Sequence, residues 1–193
     1  MLVLGSRFHQ TPVMGLQTGT RLAQTSDPLI DPRNLTIVAF EVDGPLLTER
    51  PSFLRVNEVR EVSSVGLIID SSDELIGLDD VIAIKKLHDM QFKLIGLRVV
   101  DELKNKLGKV EDYTLDTQHF VIQQLHIKRG FIKGLNDTGI LIHRTQIIEI
   151  TDEEITVKST AKKLARPIEQ SIRHEYVNPF RQPSPQTDSS KLK

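Results

Sequence analysis

The sequence predicts a mainly β protein, in which two similar units of short strands are joined by a short helix and followed by a polar tail. Three observations favour this class. Short β-prone runs alternate with turn residues along most of the chain, a helical period appears only near the middle, and Pro, Gln, Ser, Thr and Lys dominate from Asn178 onward. Alternating runs bounded by turn residues are typical of small β domains.

The clearest strand of the first unit, which we expect to span residues 1–72, lies at residues 35–42, Leu-Thr-Ile-Val-Ala-Phe-Glu-Val. Successive side chains of a strand point to opposite faces, so Phe40 and Val42 share one face and Glu41 lies on the other. Asp-Pro and Asp-Gly steps on either side of this run favour turns over a long helix.

A change of period marks the connection between the units, predicted at residues 73–92. Ser71 and Glu74 have the spacing of a capping box, which satisfies exposed amide donors at a helix start. Apolar residues at helical spacing then predict a short helix over residues 78–88.

The second unit, predicted at residues 93–158, repeats the first. Three stretches match at slowly growing offsets, as expected for a duplication with loop insertions: 14–16 with 95–97, 35–42 with 120–127, and 57–62 with 145–150.

The second unit also carries the residues Ile95-Gly96-Leu97, then Leu107-Gly108-Lys109-Val110-x-Asp112-Tyr113 and the strand 120–127. In these residues it resembles the PRC-barrel family, with distant similarity to the cytoplasmic domain of the photosynthetic reaction-centre H subunit and the C-terminal domain of the ribosome-maturation factor RimM. The first unit lacks the Leu-Gly-Lys-Val step. The resemblance implies two tandem small antiparallel β-barrels over about residues 13–157. It also implies a binding and assembly role, and it transfers no catalytic residue.

No catalytic, cofactor-binding or metal-ligating residue is predicted. The chain has no cysteine, which excludes thiolate nucleophiles and Cys-based zinc sites. His119 and His126 are expected on one strand with their side chains on opposite faces, which makes them poor joint ligands. The motifs for phosphate loops, calcium loops and nucleophile elbows are missing from the sequence. The protein is therefore expected to have no enzymatic activity and no cofactor.

Charge is distributed unevenly along the chain. Residues 158–193 hold eight Lys or Arg and three acidic residues, a net charge of +5, whereas residues 1–157 carry −6. Residues 159–193 are predicted to form a basic, partly disordered tail. The candidate partner-binding residues are the basic ones nearest the second unit, namely Lys158, Lys162, Lys163, Arg166 and Arg173.

The expected function is that of a protein-binding scaffold. The alternatives are a ribosome- or RNA-associated maturation factor of RimM-like type and a peripheral adaptor on an anionic membrane surface, since a basic segment also suits these partners. No apolar run approaches the roughly 18 residues that cross a bilayer, and the N-terminus lacks a leader pattern, so a cytoplasmic location is expected. No sequence feature specifies an oligomeric state.

Overall fold

Fourteen β-strands and one α-helix are present in the described part of the computed structural model, residues 1–45, 47–129 and 139–159. All of them belong to one unit, Met1–Thr160. The mainly β class predicted from the sequence is confirmed.

Most of the strands are short. Those before the helix are β1 (Leu2–Leu4), β2 (Pro12–Gly15), β3 (Arg21–Asp31), β4 (Thr36–Asp43), β5 (Ser52–Arg55), β6 (Glu61–Val62), β7 (Leu67–Ile69) and β8 (Leu75–Gly77). The helix is α1 (Ile82–Asp89). The strands after it are β9 (Arg98–Asp101), β10 (Lys106–Asp116), β11 (Val121–Lys128), β12 (Ile140–His143), β13 (Ile147–Ile150) and β14 (Glu154–Val157).

Hydrogen bonds connect all these strands into one sheet. Its main path runs β13-β14-β9-β10-β11-β4-β3-β2-β7-β6. Four further pairings lie off this path: β1 with β10, β12 with β11, β5 with β4, and β8 with β5. The path is open, because its end strands β13 and β6 do not pair with each other in the described part of the chain.

The strands on the two sides of α1 pair in the same order. β2 is antiparallel to β3 and parallel to β7, and β9 is likewise antiparallel to β10 and parallel to β14. In the β3–β4 hairpin, Thr25 lies opposite Val42. In the β10–β11 hairpin, Val110 and Ile127 form the equivalent pair, each 85 residues after its counterpart. β6 pairs with β7, and β13 pairs with β14 in the same way 88 residues later.

The structure corrects one predicted match, that of residues 14–16 with 95–97. By its pairings, β2 corresponds to β9, 86 residues later, and residues 95–97 lie before that strand. Gly96 instead has the role of Gln10. Each has a positive φ, 90° and 55°, and each donates its backbone N–H to the following hairpin, at 2.8 and 2.9 Å.

The two sets of strands meet where β4 and β11 begin. Thr36 lies opposite Val121 in an antiparallel pair. Two reciprocal hydrogen bonds flank this pair: Ile37 N–H donates to the Phe120 carbonyl at 2.9 Å, and Ile122 N–H donates to the Leu35 carbonyl at 2.8 Å. The junction therefore continues the sheet from one set of strands into the other.

One hydrophobic core extends across both sets of strands. Three phenylalanines lie within it: Phe8 stacks on Phe40 with ring centroids 5.3 Å apart, and Phe120 meets Phe40 edge-on at 6.1 Å. Aromatic pairs at such distances add about 0.5–1.5 kcal/mol beyond the area that they bury. A smaller cluster under α1 contains Ala39, Phe53 and Ile84.

The predicted helix of residues 78–88 begins later than expected, at Ile82. Ser71 does accept a hydrogen bond, from Asp73 N–H at 3.2 Å, but it caps a separate 3-10 helix, Ser72–Glu74. Strand β8 follows that turn and pairs with β5, so part of the predicted helical connection belongs to the sheet. The residue before α1 is Val81, which provides no side-chain cap.

Candidate functional site

Only Lys158 of the five predicted partner-binding residues lies in the described part of the chain. It follows β14 directly, is exposed, and donates its backbone N–H to the Gln146 carbonyl at 2.7 Å. Lys162, Lys163, Arg166 and Arg173 lie outside the described residues, so the basic surface stays a prediction.

The two histidines expected on one strand occupy different elements. His119 lies in the turn between β10 and β11, where its Nδ1 is 3.0 Å from Asp116 Oδ2. His126 lies on β11, and its Nε2 is 2.7 Å from Thr114 Oγ1. Within residues 1–45, 47–129 and 139–159, no group of three or more His, Asp or Glu side chains is placed to hold a metal ion.

A cavity of about 280 Å³ lies between β3 and the C-terminal end of α1, and we call it the β3–α1 cavity. Apolar and aromatic side chains contribute much of its wall. The lining residues are Asp27, Pro28, Leu29, Ile30, Glu41, Phe53, Leu87, His88, Gln91, Phe92, Lys93, Leu94, Ile95 and Tyr113.

Two carboxyl groups, those of Glu41 and Asp27, line the cavity from β4 and β3. The pKa of Glu41 is raised, chiefly because partial burial disfavours its charged form and secondly because Asp27 repels it. The side chains of Glu41 and Asp27 form no hydrogen bond or ion pair with any residue that the structure describes. The cavity therefore contains carboxylate oxygens with free acceptor capacity.

His88, on the last turn of α1, adds a third polar group. Its ring meets Phe53 edge-on, with centroids 5.7 Å apart. Its Nδ1 is buried and has no hydrogen-bond partner among the described residues, although Asp89 Oδ1 lies 3.8 Å away. Buried polar atoms are nearly always hydrogen-bonded, so this nitrogen is an exception among the described residues.

Tyr113, from β10, lines the same cavity and is only 2% exposed. Burial raises the pKa of its hydroxyl, and the nearby Asp112 and Asp27 raise it further, so the side chain is neutral. Its ring lies against the backbone of Gly5, where an added Cβ would be 2.2 Å from Cζ. Glycine is therefore required at this contact.

The corresponding polar groups in the C-terminal strands have partners. Asp112 and His126 lie opposite each other on β10 and β11, 85 residues after Asp27 and Glu41. Ser6 donates its N–H and its hydroxyl to Asp112, at 3.1 and 2.6 Å. The hydroxyl–carboxylate bond is as short as charge-assisted hydrogen bonds usually are.

The difference follows from what packs beside each hairpin. β1 pairs with β10 over Thr114–Asp116, and the 3-10 helix Gly5–Phe8 continues from β1. Beside β3, that place is taken by α1 and the segment after it, without strand pairing. The β3–α1 cavity is the space that remains there.

Sequence reasoning missed this site. The one local signal was Glu41, an acidic residue in the otherwise apolar run Val38-Ala39-Phe40-Glu41-Val42. Carboxylates are almost never fully buried unless they are paired, so an acidic residue within a predicted apolar strand was a reason to look for a partner.

The exposed apolar residues include a pair on β1. Leu2 and Leu4 are 61% and 47% exposed, whereas Val3 between them is buried against the core.

No helix in residues 1–45, 47–129 or 139–159 combines the length and apolar character needed for a bilayer span.

Comparison with known proteins places the second set of strands in a family. A search of curated proteins finds no match to the chain. Residues 91–164 match the model of the PRC-barrel domain, so this part of the chain contains a PRC-barrel domain.

Proposed function

We propose that the protein is a non-enzymatic binding or scaffold protein, built from two PRC-barrel-like modules and acting through a protein partner. The modules are assigned to residues 1–72 and 93–158, with residues 73–92 as linker and 159–193 as a basic tail. One module corresponds to the part of the chain that matches the PRC-barrel domain.

The observation that carries the proposal is the common pairing order of the strands on the two sides of α1. The strands after α1 lie within the PRC-barrel match, and those before it pair in the same way. A shared fold does not specify a function by itself, so the binding role depends on a particular surface.

β1 is the surface that we assign to the partner. It pairs with β10 along one edge, and no other described strand pairs with it. An exposed strand edge offers backbone donors and acceptors to an incoming strand, and alternate side chains provide specificity. Leu2 and Leu4 are the exposed side chains beside this edge.

The experiment is affinity capture from native lysate, with the full chain and mass-spectrometric identification. The double variant Leu2→Ser/Leu4→Ser tests the surface. The variant Leu103→Ser is the matched control, because Leu103 is 76% exposed and lies in the turn after β9. We expect one partner to be recovered by the wild type and the control and to be depleted at least about ten-fold by the double variant, a loss of roughly 1.4 kcal/mol.

Two outcomes would contradict the proposal. Equal recovery by the double variant would remove β1 as the surface. Turnover of a small molecule by the purified protein, with no partner recovered, would remove the binding function itself.

The net charge of +5 over residues 158–193 favours a second candidate, a ribosome- or RNA-associated factor. Its test is co-sedimentation with ribosomes, comparing the full chain with one that ends at Val157. Salt-sensitive association that requires the tail would favour this candidate, because contacts to phosphate weaken as salt rises. Liposome flotation with anionic vesicles tests the membrane alternative in the same pair of chains.

A further inference from the structure

We propose that the β3–α1 cavity binds a small organic cation, a primary ammonium group on an apolar or aromatic body. This ligand site is independent of the protein-binding role proposed above. The inference rests on the size and walls of the cavity, on its unpaired acceptors, and on the contrast with the corresponding place beside β10.

The size of the cavity selects a small ligand. Ligand pockets are commonly about 300–1,000 Å³, and this one has a volume of about 280 Å³. Phe53, Leu87 and Phe92 are among its lining residues and offer surface to one ring or a short aliphatic chain. A ligand with a single apolar body therefore suits the space.

The charged groups select a cation. Glu41 is half-buried, and neither its carboxylate nor that of Asp27 pairs with a described residue. Lys93 also lines the cavity, but it has only a minor effect on Glu41 and forms no ion pair within the described part of the chain. An ammonium group supplies both the positive charge and several N–H donors that these oxygens lack.

The contrast with β10 supports the same chemistry. Asp112, the counterpart of Asp27, receives an N–H and an O–H from Ser6. Beside β3 no described residue provides such donors, and the space is open. A ligand that brings N–H donors to Asp27 and Glu41 would supply what Ser6 supplies to Asp112.

His88 contributes its imidazole ring to the wall of the site, edge-on to Phe53 with centroids 5.7 Å apart. Its Nδ1 is buried, so the polar contacts assigned to the ligand are the carboxylates of Glu41 and Asp27.

The test uses three probes of similar shape and different charge, titrated into the full chain and followed by calorimetry and by amide NMR shifts. The probes are 2-phenylethylamine, 2-phenylethanol and 3-phenylpropionate. We expect the amine to bind at least about ten-fold more tightly than the alcohol, because hydrogen bonds to charged groups are the stronger ones. The propionate should not bind, and the amine should shift amides around Glu41, His88 and Leu94.

Two substitutions remove the acceptors. Glu41→Gln should weaken binding of the amine by about ten- to hundred-fold, and Asp27→Asn should also weaken it. Glu102→Gln is the control, since Glu102 is an exposed carboxylate in the turn after β9 and does not line the cavity. That variant makes the same change of charge and should bind the amine as the wild type does.

Any of three results would overturn the inference: binding of the alcohol or the propionate as tightly as the amine, wild-type affinity in both Glu41→Gln and Asp27→Asn, or no binding of the amine. Asp27 is exposed, so Asp27→Asn tests the site without replacing a partly buried side chain. Circular dichroism of each variant checks that the fold is retained.

Discussion

Gly108 lies very close to the backbone of β11, and replacing it with alanine tests how closely the two strands approach each other. Its φ is +148°, and an added Cβ would lie 2.2 Å from the carbonyl oxygen of Lys128 and 2.9 Å from Ile127 Cγ2. Both neighbours belong to β11, which is paired with β10. Gly108→Ala must therefore either separate the two strands or shift the backbone.

The expected loss of stability has two parts. A non-glycine residue held in such a backbone conformation costs about 1–3 kcal/mol. Displacement of the packed neighbours adds about 1–3 kcal/mol, as over-packing in cores does. Gly96 separates the two parts, because its φ is also positive, at +90°, but nothing lies within 4 Å of an added Cβ. Gly96→Ala should show only the conformational part.

Urea unfolding followed by far-ultraviolet circular dichroism provides the measurement, since the chain has no tryptophan to report by fluorescence. Gly108→Ala should lose about 1–3 kcal/mol more free energy of unfolding than Gly96→Ala. If the two variants agree within about 0.5 kcal/mol, the range of an ordinary surface substitution, the strands do not approach at Gly108 as closely as the structure indicates.

Three further predictions concern the core and the carboxylates. Phe40→Ala should lower the free energy of unfolding by about 3–5 kcal/mol, because Phe40 is fully buried, whereas Leu103→Ala at a 76% exposed site should change it by less than about 0.5 kcal/mol. Glu41→Gln should stabilise the protein at pH 7, because partial burial disfavours the charged carboxylate and so raises the pKa of Glu41 above its ordinary 4.5. Urea midpoints should show this gain vanish as the pH falls below about 4, where the carboxyl group is protonated in both the folded and the unfolded protein. Asp101→Ala should destabilise at neutral pH, because Asp101 accepts hydrogen bonds from the Asn105 side chain, the Asn105 N–H and the Leu103 N–H, each at 2.9 Å. These bonds lower the pKa of Asp101 below 3.8, so the loss should shrink as the pH falls through that lowered pKa, and a loss that grows as the pH falls would contradict this cause.

The strands that the sequence predicted best are those whose pattern is local. Residues 35–42 alternate between two faces, and β4 spans Thr36–Asp43, with Phe40 buried and Glu41 only partly so. The run 120–127 behaves in the same way in β11. In both cases the side-chain period and the adjoining turn residues specify the element without reference to the rest of the chain.

The helix boundary and β8 were missed for a different reason. Ser71 and Glu74 have the spacing of a cap for a helix of any type, and here they belong to a 3-10 turn. The apolar residues that follow serve first as strand β8, which is stabilised by pairing with β5 more than twenty residues earlier. The spacing of apolar residues along the sequence carries no information about this distant partner strand.

The β3–α1 cavity could not be predicted from the sequence for the same physical reason. Glu41, His88 and Tyr113 come from three elements that are far apart in the chain. Their proximity depends on α1 lying beside β3, and on the sheet order β10-β11-β4-β3. Only the unusual position of Glu41 in an apolar strand could have pointed to the site from sequence.

The pairing of β1 with β10 has a consequence for how the chain folds as it is made. Leu2 lies opposite Asp116, 114 residues further along. At about 5–20 residues per second, a ribosome needs roughly 6–23 s to synthesise that interval. The hairpin of β3 and β4 needs only residues close in sequence, so it is complete well before β1 has its partner. Throughout this delay the apolar triplet Leu2-Val3-Leu4 is unpaired on the nascent chain, where a chaperone, or a wrong strand, has the first opportunity to bind it.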